Sequence, residues 1–145
     1  YEGKHIVQAI GKNYHYDADI YSHLQEHSAK ILLLPCIYTK KIELVTTSLV
    51  FANVFYILRK ILGIEKAKEL LRKLRIIISV VSVDEKVVDL ALNSKFSDFE
   101  DGLQYFTARE NDIKIILTRN VKDYKEKDLL IQTPEEYLKS INKHK

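Results

Sequence analysis

Residues 94–124 read SKFSDFEDGLQYFTARENDIKIILTRNVKDY, and this stretch decides the fold. Lys114–Thr118 is short, apolar and β-branched, as a buried strand is. The polar turn Thr118-Arg119-Asn120 closes it. Ahead of the strand, the spacing predicts a helix over Asp98–Glu110, with Ser97 as its cap and Glu100 as the capping-box acid. Phe99, Leu103 and Phe106 recur at i, i+4, i+7 and mark a core face. Asp98, Asp101 and Tyr105 recur at i, i+3, i+7 and mark a second face, about 120° away at about 100° per residue. Two carboxylates are therefore stacked beside the core. Acids in a first turn also complement the helix dipole, so this face reads either as a stabilised helix start or as a pair of ligands.

The same alternation continues on both sides. Ile76–Val83 (IIISVVSV) reads as a strand covered on both faces. Ile42–Thr46 reads as a shorter one. Ser48 is placed to cap a helix over Leu49–Leu62, and Gly63 to end it. That helix is apolar nearly all round (LVFANVFYIL), which predicts a buried central position, and Asn53 is its one internal polar side chain. Glu65–Leu74 forms a further helix, with Ala67, Leu70, Leu71 and Leu74 as its stripe. Glu65 with Lys68, and Glu69 with Arg72 and Lys73, can pair on its wet side. Asp84 caps a helix to about Asn93. Leu129–Gln132 is a last short strand, and Thr133-Pro134-Glu135-Glu136 starts a last helix with cap, first-turn proline and box acid. Near the beginning, Asn13–Asp17 is a weak strand and Ile20–Leu34 has mixed helical spacing, stopped by Pro35. Strands separated by helices predict a single α/β domain over residues 1–145, three-layered α/β/α, with a mainly parallel sheet.

Composition agrees. The chain has 145 residues, 46% hydrophobic and 30% charged, which suits one core. Its single cysteine, Cys36, excludes an internal disulfide and suits a reducing, cytoplasmic setting. No apolar run reaches the ~18 residues of a membrane span. Net charge is only +3, but Arg59–Arg75 holds seven bases against two acids. That segment is a solvated face or a phosphate-contacting surface.

In open parallel sheets, sites form beyond the carboxyl ends of the strands. The polar residues found there are Asp17 and Asp19, then Thr46-Thr47-Ser48, then Asn120 and Asp123, with Asp98, Glu100 and Asp101 at the start of the helix before the last long strand. All are oxygen donors, the preference of hard cations such as Mg²⁺ or Mn²⁺. The amide of Asn53 locks its helix to a neighbour or sits at the rim of such a site. His23 and His27 have metal-pair spacing but lack a third ligand.

The quoted stretch, with the following LLIQ and TPEEYL, resembles the C-terminal half of PIN-domain proteins of the VapC-like toxin nuclease branch. KKIELVTTSLVFANVFYILRKILG resembles that branch's second strand and central helix. Residues 1–38 diverge from the pattern; their nearest match to its first-strand acid is Asp17-Ala18-Asp19-Ile20. The resemblance implies a metal-dependent nuclease, a ribonuclease of phosphodiester bonds and the toxin of a toxin–antitoxin pair. It implies Asp17, Asp98, Asp101 and Asn120 as the catalytic set, and Asp17, Asp101 and Asp123 as holders of Mg²⁺ or Mn²⁺. Asn53, Glu100 and Ser48 would support them. Asn53 and Asn120 carry amides where other members carry acids. The implied partners are an RNA substrate and an antitoxin protein; a homodimer is left open. The alternative is a catalytically inactive PIN-fold module that binds RNA or a protein.

Overall fold

The computed structural model describes residues 3–7, 42–126 and 128–142. Five strands form one sheet: β1 (Gly3–Val7), β2 (Ile42–Thr47), β3 (Ser79–Val81), β4 (Ile115–Leu117) and β5 (Leu130–Gln132). Their order is β3-β2-β1-β4-β5, and every neighbouring pair is parallel. The helices are α1 (Ser48–Leu62), α2 (Ile64–Ile77), α3 (Glu85–Leu92), α4 (Phe99–Glu110) and α5 (Pro134–Asn142), with a single 3₁₀ turn at Val121–Asp123.

Side chains alternate across a strand, so each central strand feeds two cores. Val45 and Ile116 pack with Val87 and Ala91 of α3 and with Leu103 and Phe106 of α4. Leu44, Ile115 and Leu117 face the other way, onto Leu74 and Ile77 of α2 and Tyr137 and Leu138 of α5. Helices thus cover both faces, and the expected three-layer α/β/α arrangement is present. At Gly102 α4 packs on α3, where an added Cβ would stand in ordinary van der Waals contact, 3.4 Å from Phe96 and 3.5 Å from Ala91.

Several boundaries differ from the sequence reading. The strand expected over Ile76–Val83 is only Ser79–Val81, because α2 runs on through Ile77. Packing of Leu74 and Ile77 on the core outweighs the strand preference of β-branched residues. The strand also lies at the sheet's edge rather than inside it, and Ile76 is 84% exposed. α1 is not buried all round: Val50 and Val54 are buried, whereas Tyr56 is 53% exposed. The cations of Arg59 and Lys60 lie over the Tyr56 ring, 4.5 and 4.6 Å from its centroid. Thr47, not Ser48, is the N-cap of α1, and Ser48 is its first helical residue. Gly63 ends the helix as expected, at φ +80°, where a side chain would be strained, and its N–H bonds Arg59 O at 3.0 Å. On α2, Glu69 is held by Lys73 and Lys66 at 2.8 and 2.9 Å, in place of the expected pairing with Arg72. These two ammonium donors hold the Glu69 carboxyl down at about 2.

The first strand of the sheet is Gly3–Val7, a stretch too short and mixed to stand out in sequence. The strand expected near Asn13–Asp17 lies outside the described residues, as do Pro35 and Cys36.

The start of α5 matches its sequence signature. Thr133 N–H donates to Glu136 Oε2 at 2.8 Å, and Glu136 N–H donates to Thr133 Oγ1 at 3.2 Å. The backbone N–H of Thr133 first, and then its side chain, hold the Glu136 carboxyl below its ordinary value. A depressed acid contributes stability above its unfolded pKa and loses it as pH falls through the folded one. The first turn of α5 should therefore fray as pH drops below the ordinary glutamate range. The protection factor of the Thr133 amide should fall there, and Glu136→Gln should make that loss of protection smaller.

Candidate metal and nucleic-acid site

α4 begins at the carboxyl edge of the sheet. Its N-cap is Asp98, whose Oδ1 accepts from Glu100 N–H at 2.9 Å and Asp101 N–H at 3.3 Å. The cap expected at Ser97 and the capping-box role expected for Glu100 are both corrected by this. A carboxylate outranks the neighbouring hydroxyl here because it accepts from two orphan N–H groups at the positive end of the helix dipole. Leu103 and Phe106 are buried as expected, but Phe99, the first helical residue, is not. Phe99 is 46% exposed, and the aromatic cluster is anchored by Phe96 instead, 5.2 Å from Tyr105 and 5.7 Å from Tyr124 between ring centroids.

Released from the box, Glu100 takes a distant partner. Asn53 Nδ2 of α1 donates to Glu100 Oε1 at 3.0 Å, linking residues 47 apart in sequence. Asp101 is 3% exposed, so its carboxylate points into the fold rather than into solvent. Tyr124, just beyond the 3₁₀ turn, donates its hydroxyl to Asp101 Oδ1 at 3.3 Å. Beyond β4, Asn120 N–H donates to Thr118 Oγ1 at 3.1 Å, and Asn120 Nδ2 donates to Asp123 Oδ2. Ser48 stands exposed at the end of β2. One turn along α4 from Asp101, buried Gln104 donates from Nε2 to Thr47 Oγ1 at 3.0 Å.

Three stretches of chain therefore meet along one edge: the β2–α1 junction, the start of α4, and the loop after β4. Asn53, Glu100, Asp101 and Tyr124 are joined by direct bonds between elements, while Asn120 and Asp123 form a local pair. Asp17, Asp19, His23 and His27 lie outside the described residues. Among the described residues, no three acids, histidines or cysteines come together as a metal-holding group. The donors present are carboxylates and amides. A Mg²⁺ ion keeps several waters and takes only one or two carboxylates, so this oxygen set fits the protein's share of such a site. The sequence reading did not single out Thr47, Gln104 or Tyr124 as a hydrogen-bonded set. Gln104 carried a signal, since it follows Asp101 at i+3 on the same face.

The PIN domain family pattern matches residues 18–122. Ribonuclease VapC1 of Aquifex aeolicus (strain VF5) is 31% identical over 120 residues, covering 80% of this chain and 83% of that protein. Among solved structures, VapBC2 of Rickettsia felis, bound to a DNA fragment from its promoter, superposes with a TM-score of 0.63 at 14% identity, over 90% of this chain and 98% of that one. VapC20 of Mycobacterium tuberculosis, a sarcin-ricin loop cleaving toxin, gives 0.54 at 14% identity, over 83% and 92%. What these solved structures share with the present chain is its fold. The chain belongs to the PIN-domain family. The matched stretch starts directly after Asp17, and β1 lies ahead of it.

The capping role of Asp98 can be tested by substitution. Asp98→Ala removes the cap and should lower stability by about 1 kcal/mol in a urea titration. Asp98→Asn caps about as well and should unfold at the wild-type midpoint.

Proposed function

We propose that this protein is a VapC-type ribonuclease: a divalent-metal-dependent hydrolase of RNA phosphodiester bonds, acting as the toxin of a toxin–antitoxin pair. The observation that carries the reading is the bond from Asn53 to Glu100, which draws the central helix onto the acidic start of α4 beside buried Asp101. The name of the Aquifex aeolicus relative and the VapBC complexes among the fold neighbours support it.

The residues divide the work. Asp101 presents a carboxylate whose orientation is fixed by Tyr124. Asn53 holds Glu100 through its Oε1. Asp98 shares its charge between the helix start and the site. Asn120 and Asp123 close the far side of the strand edge. Asp17 is the further carboxylate in this proposal; its support is the resemblance carried by Asp17-Ala18-Asp19-Ile20. A cation held by these oxygens, Mg²⁺ or Mn²⁺, supplies a water of lowered pKa and offsets charge on the phosphoryl oxygens. Attack is in line, and the chain forms no covalent intermediate. The antitoxin is its protein partner, and the cytoplasm its place of action. No described helix is long and apolar enough to cross a membrane.

The second reading, an inactive PIN module binding RNA or a protein, is favoured by the amides at Asn53 and Asn120 and by the missing three-acid group among the described residues. A metal titration separates the two. For the nuclease, millimolar Mn²⁺ raises the melting temperature, EDTA abolishes RNA cleavage and Mn²⁺ restores it. Asp101→Asn should lower kcat by about 100-fold or more while circular dichroism stays native. A wild-type rate in that variant removes Asp101 from the site, and cleavage that survives EDTA removes the metal.

A further inference from the structure

Gln104 and Thr47 are both fully buried, at 0% exposure, one turn from Asp101 and away from bulk solvent. Their bond ties α4 to α1, and so does Asn53–Glu100. On α1 the two attachment points, Thr47 at the N-cap and Asn53, are about 9 Å apart at about 1.5 Å per residue; on α4, Gln104 and Glu100 are about 6 Å apart. The earlier point on α1 meets the later one on α4, so the helices are pinned at two places. A single bond would leave α4 free to pivot. Two bonds fix both the distance and the angle at which Asp101 enters the edge of the sheet.

Stability alone does not account for an amide at position 104. Among the described residues Gln104 Oε1 is buried without a hydrogen-bond partner, which carries a desolvation cost. A leucine of similar length would fill the space without it. The bond also diverts the Thr47 hydroxyl. Thr47 is the N-cap of α1, yet its side chain makes no cap bond, although accepting from the helix start is what a cap threonine usually does. Both residues thus forgo a local gain to make one contact between elements.

We propose that Gln104 is a positioning residue of this site: with Thr47 it clamps α4 to the end of β2, and so sets where the Asp101 carboxylate stands relative to Asn53 and Glu100. The inference rests on the ribonuclease reading and adds a component to it. Gln104 touches neither substrate nor metal; it acts through Asp101. Residues that orient a metal's ligands change affinity or activity by about 10- to 100-fold when removed, and small displacements of a positioned group are costly to rate.

The test uses the whole chain with Gln104→Leu, Thr47→Val, the double variant and Thr47→Ser. Expected are melting temperatures within about 3 °C of wild type, kcat reduced by about 10-fold or more, and KM for RNA unchanged within about twofold. Mn²⁺ binding measured by calorimetry without RNA should weaken by about 10-fold. The double variant should be no worse than either single one, because both remove the same bond. Thr47→Ser keeps the oxygen and should restore both binding and rate. Wild-type kcat and Mn²⁺ affinity in Gln104→Leu, alongside an inactive Asp101→Asn, overturn the clamp and leave the nuclease standing. Losses in Thr47→Ser as large as in Thr47→Val, or losses that follow a collapse in melting temperature, also overturn it. A wild-type protein that neither cleaves RNA nor binds Mn²⁺ overturns both readings together.

Discussion

A parallel sheet carries all its strand ends of one kind along one edge. That constraint underlies everything else in this molecule. Each strand must return to the same starting edge by a crossover, so helices cover both faces and the residues leaving the strands gather on one side. Order reverses at β1, with β2 to one side and β4 to the other. The crevice opened there is where polar groups can stand outside the hydrogen-bonded ladder without disrupting it. Thr47 at the end of β2 and Asn120 beyond β4 flank it for this reason.

Within that frame, the start of α4 joins electrostatics to packing. Asp98 satisfies two orphan N–H groups and meets the positive end of the helix dipole. Asp101 is carried inward by the next turn and is met by Tyr124 from the loop after β4. Aromatic rings wall the same region: Phe96 and Phe106 pack against Tyr105. Burial among them and the nearby Asp128 carboxylate push the Tyr105 hydroxyl above its ordinary pKa. The Asp101 carboxylate is buried in these surroundings, unlike a surface acid.

Much of this was legible from residues 94–124 alone. The buried strand Ile115–Leu117, the acidic helix start, the Asp84 cap and the Thr133–Glu136 box all follow from local rules: β-branched runs, first-turn acids and reciprocal side-chain bonds. The errors were at boundaries and in environment. Ile76 and Ile77 read as strand and are helix; LVFANVFYIL read as buried all round and exposes Tyr56. Propensity acts within a few residues, whereas these outcomes depend on what packs against the segment.

Local sequence determined the α/β alternation, the two-sided core and the type of donor available, because each is encoded in hydrophobic period and residue chemistry. Only tertiary structure decided which donors meet. Whether Glu100 bonds its own helix start or Asn53 of another helix depends on a one-residue shift of the α4 cap and on the distance between α1 and α4. The pairing of Thr47 with Gln104, 57 residues apart, is likewise set by how two helices lie on the sheet. Such long-range contacts leave no periodic trace in a single chain, since either partner alone is an ordinary polar residue.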